Sequence, residues 1–139
     1  MEPLTSVAMT AAAGILGDFR GVVRPGKLPR RQVSVIEAES WQAAVDELGL
    51  FEGTEPPWFA RRANLCVSGI QLPREAGRVI AFGLSCLVEV TMECDPCSRM
   101  DEVAHGLQAA LTPDWRGGLL CRVLEDGEIS VGDEVRILE

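Results

Sequence analysis

The stretch from Arg78 to Glu93 most constrains the fold, because two apolar runs meet at Gly83 and the second alternates with a two-residue period. Beyond the glycine, Leu84, Cys86, Val88, Val90 and Met92 point one way, while Ser85, Glu89, Thr91 and Glu93 point the other. Successive side chains of an extended chain alternate faces, so the pattern predicts a hairpin with one buried face. Arg31 to Ile36 alternates in the same manner and runs directly into Ala38, Trp41, Ala44, Val45 and Leu48 at helical spacing. That reads as a strand, then a helix closed by Gly49 just past its end.

Phe51 to Phe59, with Gly53, Pro56 and Pro57, reads as a loop, and Asn64 to Ile70 as a short strand ended by a turn around Gln71-Leu72-Pro73. Gly117-Gly118 opens a strand over Leu119 to Leu124, Asp126-Gly127 suits a hairpin turn, and Gly132-Asp133 precedes a last strand, Glu134 to Leu138. The sum is about six or seven short strands and two or three short helices without βαβ alternation. It predicts a mainly β fold, a mostly antiparallel sheet closed into a barrel. At 139 residues the chain has the length of a single domain, 1–139, that buries a core without staples.

Charge narrows the partners. Thirteen Lys and Arg against 21 Asp and Glu give a net charge of −8, which repels nucleic acid and anionic membranes. All the cations except Lys27 are arginine, and Arg20, Arg24, Lys27, Arg30 and Arg31 lie close together. The planar guanidinium fork suits a discrete phosphate or carboxylate, so a small anionic ligand is compatible with the overall sign. Five cysteines, an odd number, without a secretory pattern at Met1 to Leu16 point to reduced thiols in a cytoplasm. No apolar run reaches the length of about 18 residues that a spanning helix needs.

The chemistry concentrates in Cys94-Asp95-Pro96-Cys97, followed by Ser98-Arg99-Met100-Asp101. Ser98 is a suitable N-cap, Asp101 completes a weak capping box, and Met100, Val103, Ala104, Leu107 and Leu111 recur at helical spacing. Cys97 is then expected just outside a helix N-terminus, where unpaired N–H groups and the helix dipole favour a thiolate. A C-x-x-C pair with a strand before it and a helix after it also fits a redox couple, but the surrounding βαβ context is missing. A structural zinc needs two further ligands, and the sole histidine, His105, falls on a polar helix flank. Two inert cysteines at a strand–helix junction remain a fourth reading. Cys66, Cys86 and Cys121 lie within strand patterns and read as small buried hydrophobes, and Trp58 and Trp115 as loop packing anchors. Arg61-Arg62-Ala63-Asn64 sets paired guanidinium groups and a carboxamide at the start of a strand, an anchor for a phosphate or a pterin edge.

Taken in order, Gly17-Asp18, R-Q-V-S-V-I-E-A-E-S-W, R-R-A-N-L-C-V-S-G-I, V-E-V-T-M-E-C-D-P-C-S-R-M and R-G-G-L-L-C-R-V-L-E-D-G-E-I-S-V-G-D resemble the MOSC domain, named for the C-terminal part of molybdenum cofactor sulfurases. The resemblance covers about residue 14 to residue 138. It implies a MOSC-type β-barrel that binds the pyranopterin molybdenum cofactor. On it, Cys97 is the sulfur-bearing or metal-ligating residue with Asp95 beside it, and Arg62 and Asn64 match an Arg-x-Asn element that holds phosphate and pterin. Asp18 and Arg20 match a Gly-Asp-Arg element less well, because Phe19 intervenes; Pro96 stands where amidoxime-reducing relatives carry arginine.

The resemblance implies a module that receives sulfur from a separate cysteine desulfurase, with no pyridoxal phosphate site of its own. Its alternatives are a molybdenum-dependent oxidoreductase that reduces N-hydroxylated compounds with a separate electron-donor protein, and a non-enzymatic carrier of a small anion or cofactor. Oligomeric state is not readable from the residues.

Overall fold

A computed structural model of the chain describes residues 6–10, 14–15, 32–50, 53–61 and 63–138. The expected mainly β architecture is present. Nine strands are described: β1 (Ser6–Thr10), β2 (Gly14–Ile15), β3 (Val33–Glu37), β4 (Leu65–Val67), β5 (Val79–Phe82), β6 (Cys86–Glu93), β7 (Leu119–Glu125), β8 (Gly127–Ser130) and β9 (Val135–Leu138). Three helices, α1 (Ala38–Glu47), α2 (Arg99–Val103) and α3 (Leu107–Leu111), accompany them.

The strands form a six-stranded sheet in the order β4-β3-β7-β6-β5-β9, curled into half a barrel, and a three-stranded sheet in the order β2-β1-β8. Val33, Val35, Ile80, Phe82, Val88, Val90, Cys121 and Val123 of the large sheet bury the core shared with Met9 and Ile129 of the small one. The opposite side of the large sheet is covered by the helices, where Ile36 packs with Trp41, Ala44, Val45, Met100, Leu107 and Leu111. Five-residue helices do not persist alone. α2 and α3 are held by these side chains, each worth about 1.5–3 kcal/mol when fully buried.

The hairpin read from Arg78 to Glu93 is β5 paired antiparallel with β6, closed by Phe82 opposite Cys86. Cys86, Val88 and Val90 are buried as the alternation requires, but Leu84, expected on the same face, occupies the loop tip and is fully exposed. Period-two patterning holds only while the chain stays extended, and the turn at Gly83–Ser85 ends it.

Three expectations need correction. β3 and β4 run parallel, Val35 opposite Leu65, with α1 in the crossover, so one βαβ unit exists that was not legible in the pattern. Asp126-Gly127 is not a hairpin turn: β7 pairs with β3 and β6, whereas β8 pairs with β1. The dipeptide is where the chain leaves one sheet for the other. The single helix expected from Ser98 to Leu111 is broken at Ala104–Gly106, where Ala104 is extended and Gly106 has φ +89°. β1 and β2 had no counterpart in the sequence reading.

Candidate functional site

β6, an interior strand of the large sheet, ends at Glu93, and the ladder with β7 continues one step further, Cys94 N donating to Gly118 O at 2.9 Å. The chain then turns through Asp95-Pro96-Cys97 into α2. Each carbonyl of this loop is held. Arg61 Nη2 donates to Cys94 O (2.9 Å) and to Asp95 O (3.3 Å), Gln108 Nε2 to Pro96 O (3.4 Å), and Met100 N to Cys97 O (2.9 Å). A four-residue segment with every carbonyl engaged has a fixed backbone, and its side chains re-aim only by rotation about their own bonds.

Arg61 is the organiser. It ends a short 3-10 turn over Trp58–Arg61, is buried to 9% exposure, and also donates through Nε to Gly117 O at 3.0 Å. The same Nη2 lies 3.2 Å from Cys94 Sγ. The second wall is Gly117 itself: a Cβ there would stand 2.7 Å from Cys94 O and 3.2 Å from Pro96 Cδ, so the loop packs against bare backbone.

Asp95 and Cys97 therefore share one fixed loop, Cys97 exposed and Cys94 half-buried. Beside them, burial raises the Glu93 carboxyl above the usual range, and the Asp95 charge and a hydrogen bond to Asp95 push it the same way. The Glu93–Asp95 pair was not singled out in the sequence, although its spacing across one residue at a strand end was visible.

The helix-cap account of Cys97 changes. Ser98 is already helical (φ −59°, ψ −20°) and makes no capping hydrogen bond, and the carbonyl of Cys97 accepts the first bond of the turn. Asp101 does not reach back to Ser98; its Oδ1 accepts from Gln108 N and caps α3 instead. With α2 only five residues long, its dipole is small. The guanidinium seen on a sulfur is that of Arg61, and the sulfur is that of Cys94.

Asn64 stands in the seam between β3 and β4. Its Oδ1 accepts from Ser34 N (2.9 Å) and Ser34 Oγ (3.1 Å), and its own N–H donates to Ser34 Oγ at 2.9 Å. The carboxamide oxygen thus extends the parallel ladder. Arg62, Asp18 and Arg20 lie outside the described residues, as does the basic cluster from Arg20 to Arg31. His105 is exposed as expected, but it lies in the turn between α2 and α3 and not on a helix.

Of the remaining cysteines, Cys86 and Cys121 are buried in the core as expected, whereas Cys66 is only half-buried. Burial pushes the Cys66 thiol up to about 11, with a further rise from Glu39, and the Cys86 thiol up to about 11, with a further rise from Asp126. Burial pushes Cys121 further in the same direction. Burial thus disfavours the nucleophilic thiolate at all three.

No group of three or more His, Cys, Asp or Glu side chains able to hold a metal occurs among the described residues. Cys97 is the exposed thiol of the loop, and thiols are soft donors.

A second polar centre escaped the sequence reading. Glu37, the last residue of β3, accepts from Arg74 Nη1 (2.7 Å) and Nη2 (2.9 Å), from Leu72 N (2.6 Å) and from Ser40 Oγ (2.6 Å). Arg74 Nε is buried without a hydrogen bond, 3.6 Å from Asp114 Oδ1. An acid at the end of an apolar strand, one residue before a helix, was the available signal.

Comparison with known proteins bears on this geometry. The family model described as the MOSC domain matches residues 19–136. Among solved structures, the YuaD protein of Bacillus subtilis matches with a TM-score of 0.76 at 21% identity, over 95% of this chain and 84% of that one. YiiM of Geobacillus stearothermophilus matches with a TM-score of 0.68 at 19% identity, over 96% of this chain and 60% of its own. YiiM of Escherichia coli gives a TM-score of 0.69 at 17% identity, over 96% and 62%. The chain thus spans about three-fifths of either YiiM protein. No curated protein matches the chain. No helix among the described residues is long and apolar enough to cross a membrane.

Proposed function

Because the chain belongs to the MOSC domain family, a family associated with molybdenum cofactor binding, we propose that it binds that cofactor and that Cys97 carries sulfur to the metal or ligates it. The observation that supports this reading is the Cys94–Cys97 loop, whose carbonyls are all engaged and whose Cys97 is the exposed thiol among the five cysteines. A thiol offered from a fixed loop is positioned for transfer or ligation before its partner arrives, which lowers the ordering cost of either step.

When bound, the cofactor supplies a metal centre that accepts a sulfur ligand. The chain's own residues do the rest. Arg62 and Asn64 hold the phosphate and the pterin, guanidinium N–H groups pairing with phosphate oxygens, and Asp18, Arg20 and Asp95 are assigned to the same ligand. Cys97 holds a transferable sulfur as a persulfide on Sγ, supplied by a separate cysteine desulfurase in the cytoplasm. Glu93 offers a proton at the loop, because its raised carboxyl keeps its proton to higher pH than an ordinary acid.

Mass spectrometry and metal analysis test this on protein from cells that make molybdenum cofactor and from cells that cannot. The expected result is molybdenum and pterin in the first only, or one added sulfur atom at Cys97. Cys97→Ala should lose the added sulfur or the metal-linked activity while shifting stability by less than about 0.5 kcal/mol, as for an exposed side chain. A fully active Cys97→Ala protein removes the role of Cys97.

A further inference from the structure

From the guanidinium of Arg61 at 3.2 Å from Cys94 Sγ and the three-residue spacing to the exposed Cys97, we infer that Cys94 is the resolving thiol of the loop, closing a disulfide with Cys97 whenever Cys97 carries a bonded sulfur. This rests on the reading of Cys97 as a sulfur carrier. An N–H donor bearing positive charge favours the anionic form of the sulfur it touches, and the thiolate is the attacking species in thiol–disulfide exchange. Arg61 is committed to this place by its bonds to Gly117 O, Cys94 O and Asp95 O, so its charge is fixed beside Cys94.

The step balances without an external oxidant. Cys94 thiolate attacks Sγ of the Cys97 persulfide; the Sγ–Sγ bond forms and the bond from Cys97 Sγ to the outer sulfur breaks. The outer sulfur leaves with the electron pair and its proton as hydrosulfide. The two thiol sulfurs are oxidised together by two electrons and the outer sulfur is reduced by two. A dithiol reductant then restores both thiols. The consequence is release of sulfide at the loop, with Cys94 setting when the sulfur departs.

Dithionitrobenzoate, an aryl disulfide, tests the pair in the intact protein without requiring that sulfur chemistry. It forms a mixed disulfide on exposed Cys97, releasing one coloured thiolate, and attack by Cys94 releases a second. Buried Cys86 and Cys121 and half-buried Cys66, whose burial disfavours their thiolates, are expected to react far more slowly than Cys97. The expected result is about two thiolates per chain and an unadducted Cys94–Cys97 disulfide, falling to about one thiolate with a stable adduct in Cys94→Ser. One thiolate from the unaltered protein, or a second that persists in Cys94→Ser, overturns the proposal.

Arg61 acts here as a positioning residue, and the reduction potential of the pair separates that role from a merely structural one. Losing thiolate stabilisation in Arg61→Met makes the disulfide harder to reduce, by about tenfold against a glutathione buffer, or ~30 mV more negative. Loosening of the loop alone would keep the thiols apart and move the potential the other way; that sign overturns the role of Arg61. The sulfur-carrier reading fails separately, if a desulfurase leaves no persulfide on Cys97 in a protein whose aryl-disulfide exchange is intact.

Discussion

Gly118 shows how a single side chain decides whether two strands can meet. It has φ +98°, and a Cβ built there would lie 2.4 Å from Val35 O on β3. A left-handed conformation costs a non-glycine residue about 1–2 kcal/mol, and the collision with backbone adds to it because no flexible side chain can yield. Gly118→Ala is expected to lose about 3 kcal/mol, seen as a lower urea midpoint with an unchanged slope; a loss under about 1 kcal/mol would mean that β7 slides away from β3 cheaply. The Gly117-Gly118 pair was visible as the opening of a strand, but its purpose was not. Only contact with Cys94, Pro96 and Val35 requires both positions to lack a side chain. Arg61 belongs to the same class. Its sequence context offered a guanidinium for a ligand, whereas in the folded chain it spends its donors on the Cys94–Cys97 loop.

At the scale of elements, β3 ends on an acid that ties it to the segment around Leu72 and Arg74. Burial by itself would raise the Glu37 carboxyl, but Arg74, Ser40 and the Leu72 N–H together hold it below its ordinary value of 4.5. A lowered folded-state value means that the stabilisation is complete above the unfolded value and is lost as pH falls through the folded one. Thermal stability should therefore fall as the buffer is taken below about pH 5, and Glu37→Gln should flatten that part of the profile. At neutral pH the same substitution removes the nearer carboxylate of Arg74, leaving Asp114 at 3.6 Å, and should cost about 2 kcal/mol. An unchanged acid slope in Glu37→Gln would assign the dependence to other carboxylates. α1 illustrates what element-level reading captures: Trp41, Ala44 and Val45 are buried as their spacing predicts, and Gly49 follows the last turn. α2 and α3 illustrate its limit. Helical periodicity survives across Ala104–Gly106 because both short helices pack on one apolar layer, so the pattern looks continuous while the backbone is not.

Across the whole molecule, the transfer of the chain from β7 to β8 joins the two sheets. Gly127 passes so close to the β5–β6 turn that a Cβ would lie 2.7 Å from Ser85 Oγ and 2.9 Å from Cys86 N. Gly127→Val should therefore push the small sheet off the large one, and hydrogen exchange should show amides of β1 and β8 losing protection before those of β5 to β7. Uniform loss across both sheets would instead mean that they open as one unit. By itself the sequence determined the mainly β class, the β5–β6 hairpin, α1, the family, and the presence of a cysteine loop between a strand and a helix. The family rests on the order of its motifs; the rest follow from periodicity and turn residues, which the backbone imposes locally. Tertiary structure alone decided that β3 and β4 pair in parallel, that β8 pairs with β1, that Asn64 stitches β3 to β4, and that Arg61 rather than a helix end meets a sulfur. Such choices depend on which distant segments reach each other and how closely their backbones approach, and no local pattern encodes that distance.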